Sequence, residues 1–128
     1  MGWPCEAVNA AVLTTAIRID ARLEAELSSP KWKPQVLVMS GVTDPYQPVE
    51  RKLRITRGCL EVLAKFRNPL AIITKNRLVT RDVDLLGELA RYDASAVNVS
   101  VTSLDPELQR VLEPRTSSPN ARLEAKDA

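Results

Sequence analysis

The residues whose types suit chemistry fall in three groups, each at the end of an apolar run. Ser40, Thr43 and Asp44 follow Val36–Met39. Thr74, Lys75 and Asn76 close Leu70–Thr74, and Ser100, Thr102 and Ser103 close Val97–Val101. If the three runs are parallel strands, these groups meet at one rim of a sheet, just outside the carboxyl ends, where α/β proteins bind ligands. A carboxylate, an ammonium and several hydroxyls gathered there suit a small zwitterionic ligand. Lys75 pairs with a carboxylate, Asp44 with an amine, and the hydroxyls with a ribose. The competing reading is local: the same groups cap helices and satisfy turns, with Asp44-Pro45 opening a turn. Gly41 reads as a tight turn or a close backbone approach. Asp44 and Glu50, six residues apart across a turn, are a weak pair for carboxylate acid–base work. No glycine-rich phosphate-loop pattern is present.

The elements needed to position these groups are legible as periodicity. Ala16–Ile19 alternates like a short edge strand, and Asp20 is placed to cap a helix over residues 21–27 with Leu23 and Leu27 on one face. Val36–Met39 is continuously apolar, as in a parallel strand covered on both faces. A helix is predicted from Pro48 to Phe66, burying Val49, Leu53, Leu60 and Leu63 and exposing Arg51, Arg54 and Glu61; Asn68-Pro69 stops it. After the second strand, a helix over Asp82–Tyr92 buries Val83, Leu86, Leu89 and Ala90. After the third, a short helix over Leu104–Leu112 has Asp105 as its cap and Pro106 in its first turn. Glu113–Pro119 is a loop, and the tail starts one more helix. The order is a βαβαβ unit with three parallel strands. Three strands close no barrel, so both sheet edges call for cover.

Composition sets outer bounds. The 128 residues make one domain at most, with 45% hydrophobic and 27% charged residues, as in an ordinary globular protein. No apolar run approaches the ~20 residues that span a bilayer. Met1–Glu6 lacks the basic start and apolar stretch of a signal peptide, so a cytoplasmic location is expected. The chain has two cysteines, Cys5 and Cys59, and no histidine. That excludes histidine-based catalysis, and two thiols are too few for a structural zinc site or an iron–sulfur cluster. Cys59 lies in a helical pattern and reads as a buried, inert thiol. From Arg51 to Arg81 nine basic residues stand against the single acid Glu61, a net +8. Such a belt is compatible with nucleic acid or phosphate, or with a solvated face balanced by acids elsewhere.

At the same residues the chain resembles the radical SAM enzymes of the spore photoproduct lyase-like group. The matching segments are SGVTDPYQPVERKL (Ser40–Leu53), ITRGCLEVL (Ile55–Leu63), IITKN (Ile72–Asn76), RDVDLLGELA (Arg81–Ala90), VSVTSLD (Val99–Asp105) and LEPRTSSPNAR (Leu112–Arg122), with Glu26-Leu27 and Trp32-Lys33-Pro34 ahead of them. SGVTDPYQPVE and LEPRTSSP are the specific elements. The resemblance covers residues 20–122, leaving 1–19 as a poorly matched segment and 123–128 as a tail. It implies part of an incomplete (βα)6 barrel that binds S-adenosylmethionine and a 4Fe–4S cluster. Reductive cleavage of that ligand yields a 5′-deoxyadenosyl radical that abstracts hydrogen from a substrate, nucleic acid being one candidate class. By position, Ser40, Thr43 and Asp44 lie where such enzymes hold the methionine amino group, and Lys75 resembles the residue that contacts the methionine carboxylate. Ser100 and Thr102 lie on the strand that approaches the ligand, and Arg115 is a further rim residue.

The chain departs from that family where it matters most. The CxxxCxxC loop that ligates the cluster, expected upstream of the matched segments, is absent, and Cys5 and Cys59 match it in neither number nor spacing. Strands expected after Arg122 are also missing. The expectation is therefore a fragment or truncated form of a radical SAM enzyme, without a cluster of its own and inactive alone. Its partners would be the missing parts of the barrel or a second copy. The alternative is a non-catalytic α/β module that binds nucleic acid through the basic belt or self-associates through its open sheet edges.

Overall fold

The computed structural model describes residues 19–40 and 43–128. Ala16–Arg18, Cys5 and Gly41 lie outside the described residues. Ile19 and Asp20, expected at the end of a strand and as a helix cap, are instead helical: α1 spans residues 19–27 and buries Leu27. The strands are β1 (Leu37–Met39), β2 (Leu70–Thr74) and β3 (Ser95–Val99). They form one sheet in the order β1-β2-β3, parallel throughout, with Leu37 opposite Leu70 and Leu70 opposite Ser95. The protein is thus α/β, built on a three-stranded parallel sheet. β3 starts two residues before the predicted Val97 because Ser95 and Ala96 pair with Leu70 and Ala71.

The helix predicted over 48–66 is two helices, α2 (Glu50–Leu53) and α3 (Ile55–Phe66), broken at Arg54 with φ 51°. The cause is Glu50. Its carboxylate turns inward and accepts from the Thr56 amide at 2.7 Å, satisfying a donor in the first turn of α3 that a side chain must otherwise meet. Glu50 and Thr56 are therefore buried, whereas the expected Val49 is exposed. Leu60 and Leu63 are fully buried as expected, and Arg51, Arg54 and Glu61 are exposed. At its other end α3 stops at Arg67, also left-handed (φ 51°), where the Asn68 amide donates to the Leu63 carbonyl at 3.0 Å. Buried Asn68 accepts from Trp32 Nε1 at 3.1 Å and donates to the Gln35 carbonyl at 3.0 Å, tying the connector before β1 to the start of β2.

A 3₁₀ turn (Arg77–Asp82) precedes α4 (Val83–Ala90), which buries Leu86 and Leu89 but not Val83 or Ala90. α5 (Pro106–Leu112) is capped by Asp105, whose side chain accepts from the Glu107 amide at 2.9 Å. α6 (Pro119–Lys126) packs back with Arg122 and Ala125 buried, so the tail belongs to the fold. One apolar cluster joins Leu60 and Leu63 of α3, Leu70 and Ile72 of β2, Leu86 and Leu89 of α4 and Ala125 of α6. Among the described residues the sheet is covered on that face alone. Val36 and Val38 are each 59% exposed, Ile73 is 41% exposed, and Ala96 and Asn98 beside them are open. The expectation of a strand covered on both faces therefore fails for β1.

A buried ionic hub anchors α3 to the 3₁₀ turn. Asp82 has no exposed surface and accepts from Arg57 Nη1 at 2.9 Å, from Arg81 Nε at 2.8 Å and Nη2 at 2.7 Å, and from the Tyr46 hydroxyl at 3.1 Å. Burial alone pushes the Asp82 acid up, but the two guanidinium groups outweigh it and hold the group below its ordinary value. A depressed folded pKa gives stability that is present above the unfolded value, near ~3.9, and is lost as pH falls through the folded value. Asp82→Asn should cost about 3 kcal/mol in urea unfolding at pH 7, because it leaves buried guanidinium charge poorly matched. The gap to wild type should narrow below about pH 4; an equal gap at pH 7 and pH 3 would refute the ionic account.

Candidate functional site

The three strand ends meet as the sequence predicts. A cleft of about 240 Å³ is lined by Ser40, Thr43, Asp44, Ile73, Thr74, Lys75 and Ser100. Five of the seven residues expected at a ligand site, Ser40, Thr43, Asp44, Lys75 and Ser100, are among them. Strand alternation explains the arrangement. Ser40 lies two residues beyond Val38, Lys75 two beyond Ile73 and Ser100 two beyond Asn98, so all three continue the bare face of the sheet. The ladder runs on at the rim, the Ser100 amide donating to the Thr74 carbonyl at 2.8 Å.

Asp44 does not stand free to meet an amine. Its Oδ1 accepts from the Thr74 hydroxyl at 2.7 Å and from the Tyr46 amide at 2.8 Å, and its Oδ2 accepts from the Lys75 amide at 2.8 Å. The local reading of Asp44 is thus correct in part, since it does close the turn before Tyr46, and it also pins the β1 loop to the end of β2. Asn76 is absorbed locally as well, its side chain accepting from the Leu78 amide at 2.9 Å and so capping the 3₁₀ turn. Ser103 accepts from the Asp105 amide at 3.1 Å. Glu50 faces Arg81 Nη2 at 3.0 Å and the Thr56 amide, so Asp44 and Glu50 form no acid–base pair.

Lys75 pairs with Glu113, a residue whose sequence position gave no functional signal beyond its place in LEPRTSSP. Thr102 does not line the cleft; its hydroxyl donates to Glu113 Oε1 at 2.8 Å. Arg122 is 1% exposed and donates through Nη2 to Glu113 Oε2 at 2.8 Å and to Thr116 Oγ1, through Nη1 to the Ser100 carbonyl at 3.1 Å, and through Nε to the Ser117 carbonyl at 2.7 Å. Burial pushes the Glu113 acid up, but Lys75, Arg122 and Thr102 outweigh it and hold it at about 2. Arg115 is exposed and outside the cleft lining.

The basic belt is in good part paired with acids, while Arg51, Lys52, Arg54, Lys65, Arg67 and Arg77 stay exposed. Of its nine residues, Arg57, Lys65, Lys75, Arg77 and Arg81 face carboxylates of Asp82, Glu24, Glu113, Glu124 and Glu50. Arg67 lies over the Tyr92 ring, 4.4 Å from its centroid. Cys59 is buried and its thiol is pushed up to about 11 by burial, so it is inert. Among the described residues no group of three or more His, Cys, Asp or Glu side chains is placed to hold a metal ion, and no helix is long and apolar enough to cross a membrane.

No protein-family model matches the chain, and no solved structure does. Among curated proteins, an uncharacterized protein of Mycobacterium tuberculosis is 38% identical over 105 residues, covering 82% of this chain and 31% of the relative. An uncharacterized protein of Methanocaldococcus jannaschii is 33% identical over 89 residues, 70% of this chain and 33% of the relative. An uncharacterized protein of Acidianus two-tailed virus is 35% identical over 94 residues, 73% of this chain and 30% of the relative. The chain therefore spans about a third of the length of the curated relatives it matches.

Asp44→Ala should leave the Thr74 hydroxyl and the Tyr46 and Lys75 amides without their acceptor, at a cost of about 1–3 kcal/mol. Hydrogen exchange should show lost protection at the Lys75 and Tyr46 amides, with Ile72 in the strand interior unchanged. Unaltered protection at Lys75 would show that Asp44 does not hold the rim.

Proposed function

We propose that this chain is a βαβαβ section of an incomplete (βα)6 radical SAM barrel, similar to the spore photoproduct lyase-like group, and that its rim cleft receives the amino-acid end of S-adenosylmethionine. The observation that carries the reading is the cleft itself. Ser40, Thr43 and Ser100 supply hydroxyls, and Lys75 supplies an ammonium, at the carboxyl ends of three adjacent parallel strands, while the Thr74 hydroxyl is spent on Asp44. Its volume, about 240 Å³, is below the ~300–1,000 Å³ of sites that enclose a whole drug-sized ligand, so it suits one end of such a molecule. The residues fit that ligand's polar end and do not fit its iron–sulfur partner. The one described cysteine, Cys59, is buried on α3 and lines no part of the cleft. In this reading the cluster comes from sequence beyond this chain, the chain alone is inactive, and radical-initiated hydrogen abstraction belongs to the longer protein.

A second reading is favoured by one observation, the bare face of the sheet. Val36, Val38 and Ile73 present apolar surface there, and among the described residues β1 and β3 each have one unpaired edge. A second copy covering that surface makes the chain a self-associating module. Nucleic acid is the weaker variant, because five of the nine belt charges already face carboxylates.

Anaerobic reconstitution of the 128-residue chain with iron and sulfide should give no iron–sulfur charge-transfer absorbance; a stoichiometric cluster would overturn the division of roles between this chain and the rest of the protein. Titration of the ¹⁵N-labelled chain with millimolar S-adenosylmethionine should shift the amides of Thr43, Asp44, Lys75 and Ser100, and the absence of any shift there would reject the rim reading. Sedimentation equilibrium separates the second reading: a concentration-dependent dimer supports it, and a clean monomer at high concentration counts against it.

A further inference from the structure

Among the described residues Lys75 is the one cation that lines the cleft, and what holds it there is Glu113. We propose that Glu113 is the positioning residue for Lys75, fixing the ammonium at the lip of the cleft so that it meets the carboxylate of an amino-acid ligand. The inference rests on the rim reading above and extends it to a residue outside the cleft.

Glu113 gathers three separate parts of the chain at one carboxylate. Oε1 accepts from the Lys75 ammonium at the end of β2 and from the Thr102 hydroxyl at 2.8 Å, just past β3. Oε2 accepts from Arg122 of α6 at 2.8 Å. Arg122 cannot drift, because it is buried and also donates to the Ser100 and Ser117 carbonyls and to Thr116 Oγ1. Glu113 is thus held from behind by a fixed guanidinium and presents its other oxygen to a flexible side chain. Its side chain is 9% exposed against 43% for Lys75, so the carboxylate lies inside and the ammonium at the surface.

Two consequences bear on binding. A free lysine loses up to ~2 kcal/mol of rotamer freedom when it is immobilised on a ligand, and a lysine already held loses less. The ammonium has three N–H donors, of which Glu113 takes one and leaves two for a ligand. Net charge does not decide the matter, because Lys75 and Arg122 are balanced by Glu113 and by Asp44 of the cleft lining. What favours an anion is position: the Lys75 ammonium is at the surface and the Glu113 carboxylate lies inside. The low acid value of Glu113, about 2, keeps the arrangement ionised through the neutral range.

The test compares two probes on the 128-residue chain by ¹⁵N NMR titration: S-adenosylmethionine, and 5′-methylthioadenosine, which has the nucleoside and sulfur but no amino-acid end. Glu113→Gln should weaken S-adenosylmethionine by roughly three- to five-fold, the range of a partly exposed ion pair, and leave 5′-methylthioadenosine unchanged. Equal losses for both probes would reduce Glu113 to a fold-supporting residue. Unchanged or tighter S-adenosylmethionine binding would mean that Glu113 competes with the ligand for Lys75, and would overturn the proposal. If wild type shows no rim shifts with S-adenosylmethionine, the rim reading itself fails and takes the role of Glu113 with it. Should Glu113→Gln not fold, Thr102→Val decides, since it removes one donor to Oε1 at an exposed site and leaves every charge in place. A smaller loss confined to S-adenosylmethionine supports the positioning role, and no loss, or a loss for both probes, overturns it.

Discussion

Asp44 spends both carboxylate oxygens on the protein itself. Oδ1 accepts from the Thr74 hydroxyl and the Tyr46 amide, and Oδ2 accepts from the Lys75 amide. These bonds cross from the loop after β1 to the last residues of β2, so the position of that loop and the direction of the chain at Lys75 are set together. The cleft follows from this, because its walls are the loop residues Ser40 and Thr43 on one side and Thr74, Lys75 and Ser100 on the other. Tyr46, placed by the same carboxylate, reaches down with its hydroxyl to Asp82 and so joins the rim to the buried hub between α3 and the 3₁₀ turn. One carboxylate thereby couples the rim of the sheet to the interior. A half-buried carboxylate is stable in that role because both of its oxygens meet donors, two at Oδ1 and one at Oδ2.

How much of this the sequence disclosed depends on the range of the interaction concerned. β2 is where its apolar run and the Asn68-Pro69 stop place it, and Asp105-Pro106 marks the start of α5 with its cap. Such features are written in a few adjacent residues. The break at Arg54 was not legible, because a helical repeat runs through it. What ends α2 is the carboxylate of Glu50 reaching the amide of Thr56, a contact visible only once the chain has turned. On α4 the predicted face is right but narrower than expected: Leu86 and Leu89 are buried, whereas Val83 and Ala90 at the two ends of the helix are exposed. At the rim, strand-end position brought Ser40, Thr43, Asp44, Lys75 and Ser100 together correctly. The partners of those residues, above all Glu113 and Arg122, come from a segment 38 to 47 positions away from Lys75, and no local pattern announces them.

The basic belt shows the same limit in electrostatic form. Nine cations against one acid suggest an open positive surface when counted along the chain, yet the acids that answer five of them lie outside that stretch or at its edge. Arg57 and Arg81 in particular are internal. Both serve Asp82, a fully buried carboxylate that only a pair of guanidinium groups and the Tyr46 hydroxyl make tolerable. Charge density in sequence is a poor guide to surface potential wherever a fold needs its charges inside.

The bare face of the sheet and the cleft are parts of one surface. Side chains alternate along each strand, so Val38, Ile73 and Asn98 stand on the side away from α3 and α4, and the next residues on that side are Ser40, Lys75 and Ser100. A ligand seated against those rim residues rests on the continuation of an uncovered apolar wall. A molecule that covers Val38 and Ile73 sits beside the cleft and lowers the dielectric around Lys75. With that face open, water screens the ammonium and an ion pair there is worth little; with the face covered, the same charge at the same distance counts for several times more. The exposed apolar face and the polar rim are thus coupled electrostatically, because cover on the first strengthens the pairing of Lys75 with Glu113 on the second.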